Sequence, residues 1–177
     1  MSSKLVVCDA GPLIILARTE KLFLLTDLFD EIFLTETVQE ECTQNLSLPG
    51  ASVIAQTIHE KILHVSNPHA DLSFKETLLS LDEGEKSSIL LARQLQATLL
   101  IDEKRGRSVA QHLDVRILGT AGLLLRAYQK GLIPDIHTCL EEMTHAGYRL
   151  SDRLIEAVLK RAALLTSEKK LIQNSQK

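Results

Sequence analysis

Short apolar runs alternate along the chain with longer stretches in which apolar residues recur every three or four positions. Leu5–Cys8, Ile32–Leu34, Leu63–Val65, Thr98–Ile101 and Val115–Leu118 are short and rich in β-branched residues and leucine, the signature of strands buried on both faces. The longer periods predict helices over Lys21–Phe29, Thr37 to about Asn45, "LPGAS" (Leu48–Ser52) to about Glu60, Asp82–Leu95, Lys104–His112 and Thr120–Lys130, the last stopped by Gly131. Ser73-Phe74-Lys75-Glu76 has the form of a capping box opening a further short helix. Short strands separated by helices require right-handed crossovers, hence a parallel sheet in an α/β fold.

Beyond Pro134 the texture changes. Asp135–Ala146 and Ser151–Leu165 read as amphipathic helices with no strand between them, and from Thr166 the chain is polar. The expected organisation is an α/β domain over residues 1–133, a helical extension over 134–165 packed on it, and a frayed tail over 166–177.

The polar positions that interrupt this pattern carry the chemistry. In "KLVVCDAGPLIILAR" (Lys4–Arg18) the first strand ends on one acid, Asp9, and the chain turns through Ala10-Gly11-Pro12 into another apolar run. Asp102, followed by Glu103, ends the strand "TLLI", and Thr120 follows "VRIL" through Gly119. In an open parallel sheet the carboxyl ends of the strands share one edge, where ligands bind. The helix "TVQEEC" adds Glu40 and Glu41, and "LDEGEKSSILLA" adds Asp82, Glu83 and Glu85 in its first turn.

Two carboxylates about 5 Å apart repel by roughly 3 kcal/mol at an effective dielectric near 20. Several gathered at one edge need protons or a cation, and all-oxygen ligation suits Mg²⁺ or Mn²⁺. Such an ion can activate water and stabilise the leaving oxygen of a phosphodiester. Lys104, Arg105 and Arg107 in "EKRGR" could hold the remaining phosphates of a polyanionic substrate.

Each residue also has a plainer reading. Asp82 with Glu85, and Thr37 with Glu40, are spaced as capping boxes. Asp9 could cap the turn at Gly11-Pro12, Asp102 the helix from Lys104, and Thr120 its own helix. "KRGR" could be a solvated helix face. It is the convergence of acids from separate segments that favours a site.

Composition narrows the classes. The 177 residues are 45% hydrophobic, enough for one core, and the formal net charge of −3 leaves nucleic-acid binding to local patches. No apolar run reaches membrane-span length and no leader pattern precedes the first strand. Three scattered cysteines point to a reducing, cytoplasmic setting, and the six histidines lack zinc spacing. With 3% aromatics and no tryptophan, a base-stacking platform is not expected. No GxGxxG follows the first strand, against a dinucleotide site. The third strand runs into Ser66-Asn67, without the aspartate that a phosphoryl-accepting receiver domain needs.

The stretches "VVCDAGPLIILARTEKLFLLTDLF", "VQEEC", "LDEGEKSSILLARQL", "LLIDEKRGRSVAQHL" and "ILGTAGLLLRAYQKGLI" resemble, in order and spacing, the PIN-domain proteins of prokaryotes, among them toxin nucleases of type II toxin–antitoxin pairs. "LEEMTHAGYRLSDRLIEAVLKRA" resembles the C-terminal helices of a compact, poorly characterised subgroup. The resemblance implies a Rossmann-like three-layer α/β/α sandwich with a central parallel sheet, and a Mg²⁺- or Mn²⁺-dependent ribonuclease. By position it places the catalytic, metal-holding acids at Asp9, Glu41 (with Glu40 the alternative), Glu85 and Asp102, and the hydroxyl of "GT" at Thr120. It implies an RNA substrate, a small antitoxin partner and a homodimer; the lack of a long apolar run leaves no membrane partner expected. One departure stands out. Relatives often carry Ser, Thr or Asn two residues after the first acid, where this chain has Gly11, so a weak or inactive PIN fold that only binds RNA or protein is the competing expectation.

Overall fold

A computed structural model describes residues 4–69 and 74–175. Five strands form one all-parallel sheet: β1 (Leu5–Cys8), β2 (Glu31–Leu34), β3 (Leu63–Val65), β4 (Thr98–Leu100) and β5 (Arg116–Leu118). All five coincide with the apolar runs, within a residue at each end. The order is β3-β2-β1-β4-β5, with Val6 opposite both Ile32 and Thr98. The chain builds outward from β1 in one direction and then, from β4, in the other. The crevice beyond the carboxyl ends of β1 and β4 is therefore the topological switch point of an α/β sandwich.

The helices are α1 (Ala10–Arg18), α2 (Phe23–Leu28), α3 (Glu36–Thr43), α4 (Ala51–His59), α5 (Lys75–Leu78), α6 (Glu83–Gln94), α7 (Lys104–His112), α8 (Thr120–Lys130), α9 (Ile136–His145) and α10 (Asp152–Ser175). Two compact units are distinguished, Met1–Thr120 and Ala121–Lys177. In the first, Val7, Leu99 and Ile101 face Ile89, Leu91 and Ala92 of α6 and Ala110 of α7, forming one continuous core. Strand alternation directs Val6 and Cys8 to the opposite face. In the second, α9 packs against α10, and the Tyr128 hydroxyl shares a 2.8 Å hydrogen bond with Thr166.

Three local outcomes differ from the sequence reading. The apolar run after Asp9 is the helix α1, because Gly11 and Pro12 fall in its first turn, where proline leaves no hydrogen bond unmade. Helix α3 is capped by Thr35, whose hydroxyl accepts from the Val38 amide, and not by a Thr37–Glu40 box. Helix α10 continues to Ser175, ten residues beyond the expected Leu165. The residue Ser73 of the proposed capping box lies outside the described residues.

Candidate active site

Asp9 leaves β1 at the switch point. Its own amide donates to the Leu100 carbonyl of β4 (3.0 Å), which fixes the backbone there. It occupies the N-cap position of α1, yet its side chain makes no capping hydrogen bond. Its carboxyl is pushed up to about 7, chiefly by burial; the Ala10 amide opposes the rise, and the charges of Glu41, Glu85 and Asp82 add to it. Four acids from three segments thus share one electrostatic environment.

Helix α3 supplies Glu41. Val38 and Cys42 are one turn apart and buried, so the helix turns that stripe inward. Glu41 lies beside the stripe, and its Oε2 would stand 3.3 Å from a Cβ placed on Gly84 of α6. Burial and Asp82 raise its carboxyl. Glu40 and Glu41 are both exposed, and the Glu40 carbonyl accepts the Gln44 amide. Of the two, Glu41 is the one that shares the electrostatic environment of Asp9 and Asp82.

Helix α6 opens with a complete capping box. Asp82 Oδ1 accepts from the Glu85 amide at 2.8 Å, and Glu85 Oε2 accepts from the Asp82 amide at 3.4 Å. The capping reading of this pair holds. Glu85 is only 7% exposed, and its second oxygen, Oε1, is buried with no hydrogen-bond partner. Burial, then Asp82, raises this carboxyl, and Glu103 adds to it. The orphan oxygen would be 2.8 Å from a Cβ on Gly106, so the bare glycine of α7 makes the space it occupies.

Asp102, past the end of β4, belongs to a second set of contacts. Its Oδ1 accepts from the Thr120 amide (3.0 Å) and its Oδ2 from the Thr120 hydroxyl (2.5 Å). It therefore anchors the start of α8 and does not cap α7. Glu103 does that, accepting from the Arg105 and Gly106 amides. Arg107 Nη1 donates to the Ile101 carbonyl at 2.9 Å, and that nitrogen and Asp102 Oδ1 would both lie within 3 Å of a Cβ on Gly119. Lys104 and Arg105 are exposed at the first turn of α7.

The donor set is all carboxylate, which suits a hard divalent cation. Cys42 and Cys8 lie nearby, but burial pushes the Cys42 thiol up to about 12 and that of Cys8 higher still, so neither is a thiolate ligand or nucleophile at neutral pH. Among the described residues, no three of His, Cys, Asp or Glu close on one point tightly enough to enclose a metal. Mg²⁺ does not need such a cage, since it retains several waters and takes one or two carboxylates directly. The unpartnered Glu85 oxygen and the crowded Asp9 carboxyl fit that mode of binding.

The family model described as DUF3368, PIN domain, matches residues 5–163. The chain belongs to the PIN-domain family. No curated protein is matched by the chain. The PIN fold is of the nuclease type. Among the described residues of this PIN domain no helix is long and apolar enough to cross a membrane.

The linear reading missed the Thr35 cap and the glycines at 84, 106 and 119 that let the acids approach. Thr35 carried a signal: a threonine directly after a strand and three residues before the buried Val38 is an N-cap pattern.

Proposed function

We propose that this PIN domain is a Mg²⁺- or Mn²⁺-dependent endoribonuclease. The observation that carries the reading is the crowding of Asp9 by Glu41, Glu85 and Asp82 beyond the end of β1, beside a buried carboxylate oxygen with no partner. Asp9, Glu41 and Glu85 would hold the cation, directly or through water, and Asp102 would approach from the neighbouring strand end. A bound divalent ion there supplies a water of lowered pKa and neutralises charge on the scissile phosphate. Thr120 fixes the rotamer of Asp102 through two hydrogen bonds. Asp82 holds Glu85 through the capping box, and Glu103 orders the first turn of α7, from which Lys104 and Arg105 would reach flanking phosphates. Arg107, bound to the Ile101 carbonyl, would brace the end of β4 beside Asp102.

Asp9→Asn, folded as the parent, should lose Mn²⁺-stimulated RNA cleavage by at least about a hundredfold; cleavage at the parental rate would remove the reading. The narrower role of toxin, with an antitoxin partner, a homodimer and a cytoplasmic site of action, rests on the family resemblance. Growth arrest by the expressed protein, absent for Asp9→Asn, would support it.

A second reading, a PIN fold that binds RNA or protein without cleaving, is favoured by the open arrangement of the acids and by Gly11, where an added Cβ would meet nothing within 4 Å. Calorimetry separates the two. In an active site Mn²⁺ binds, and Asp102→Asn weakens binding about tenfold or more; the binding module shows no Mn²⁺ uptake that depends on Asp102.

A further inference from the structure

The acids repel one another, so something must hold the helices that carry them together. Helices α3 and α6 touch through their first turns. A Cβ on Gly84 would stand 3.8 Å from Val38 as well as 3.3 Å from Glu41, so α3 leans on α6 at a residue without a side chain. Beside that contact lie two hydroxyls from opposite helices. Thr35, 0% exposed, and Ser87 share a 2.9 Å hydrogen bond across 52 positions of sequence.

The proton count orients the set. The Ser87 hydroxyl donates to the Gly84 carbonyl at 3.0 Å, which uses its single proton. The Thr35 hydroxyl is then the donor to Ser87, and the Thr35 oxygen accepts from the Val38 amide at 3.3 Å. The result is a one-way chain, Val38 N–H to Thr35 to Ser87 to Gly84 C=O. Every member is satisfied, and each bond polarises the next. One end lies three residues before Glu41 and the other one residue before Glu85.

We propose that this Val38–Thr35–Ser87–Gly84 relay is a positioning device that clamps the Glu41-bearing helix onto the Glu85-bearing helix and so sets the spacing of the acid cluster. Thr35 and Ser87 touch no reacting atom; they act through Glu41 and Glu85. In its bearing on the cation this inference rests on the proposed function, whereas the relay itself is testable without metal.

Ser87→Ala is the decisive variant. It removes the middle hydroxyl, leaves the Thr35 cap in place and puts a better helix former in α6. By calorimetry with Mn²⁺ on the folded full chain, Ser87→Ala should weaken binding about tenfold. Thr35→Val should weaken it similarly, and the double variant no further than the worse single, because both changes break one chain. Thr35→Ser, which keeps the hydroxyl, should bind as the parent does. Parental Mn²⁺ affinity in Ser87→Ala, even with altered thermal stability, would overturn the proposal. If the parent itself takes up no Mn²⁺, the cation reading fails and the relay is judged in metal-free protein. There, the Val38 amide should exchange with solvent at least about tenfold faster in both Thr35→Val and Ser87→Ala, and unchanged exchange in Ser87→Ala would overturn the relay.

Discussion

Glycine 106 shows how closely the site depends on single atoms. A Cβ there would fall 2.6 Å from Ile101 Cδ1 and 2.8 Å from Glu85 Oε1, and both neighbours are buried. Gly106→Ala should cost about 1–3 kcal/mol in denaturant unfolding, as overpacking does in cores. It should also displace Glu85 and reduce Mn²⁺ binding. Gly11 is the contrasting case, exposed and with open space around it, so a side chain there would be tolerated sterically. The acids themselves were legible at this scale, since charged residues ending apolar strands are rare enough to be noticed. Which oxygen lacks a partner was not legible, because that depends on what the far side of the molecule brings against it.

At the scale of the element, α6 uses one residue for two purposes. Asp82 closes the capping box and also adds negative charge to the environment of Asp9, Glu41 and Glu85. Two substitutions separate these roles. Asp82→Asn keeps a good cap acceptor and removes the charge; Asp82→Ala removes both. At pH 8 without divalent cations, Asp82→Asn should be at least as stable as the parent, and Asp82→Ala less stable than Asp82→Asn by about 1 kcal/mol. Urea unfolding of the three proteins checks this. The helices themselves were read correctly from their period, with errors at the ends and at α1. There the Gly-Pro pair reads as a turn, although a first helical turn accepts both residues. For α3 the buried stripe of Val38 and Cys42 puts Glu41 nearer the inward face than Glu40.

For the whole molecule, the acid cluster couples stability to pH and to cations. The Asp9 carboxyl is raised in the folded state from 3.8 to about 7. Folding therefore favours its protonated form. Its contribution is fully present below pH 3.8 and is lost as pH rises to 7. Above pH 7, metal-free Asp9→Asn should melt higher than the parent, and the advantage should vanish near pH 4. A cation that binds only the folded state adds stability by mass action, about 2.7 kcal/mol at a hundred times its dissociation constant. Mn²⁺ should accordingly raise the melting temperature of the parent more at pH 8 than at pH 5.5, where protons compete for Asp9, and should leave Asp9→Asn nearly unmoved. Thermal scans across pH with and without Mn²⁺ check both signs.

The sequence by itself determined the parallel sheet, the alternation of strand and helix, and the placing of Asp9 and Asp102 at strand ends. Those features follow from local periodicity and from the need to bury apolar residues, which the order of residues encodes directly. Only the tertiary structure decided that Asp9 leaves its helix uncapped, that Asp102 is tied to Thr120, that Glu85 keeps a bare oxygen against Gly106, and that Thr35 and Ser87 join two helices. Spacing along a chain defines a face of an element. How that face is turned against another, and which hydrogen bonds then form across tens of residues, is set by packing.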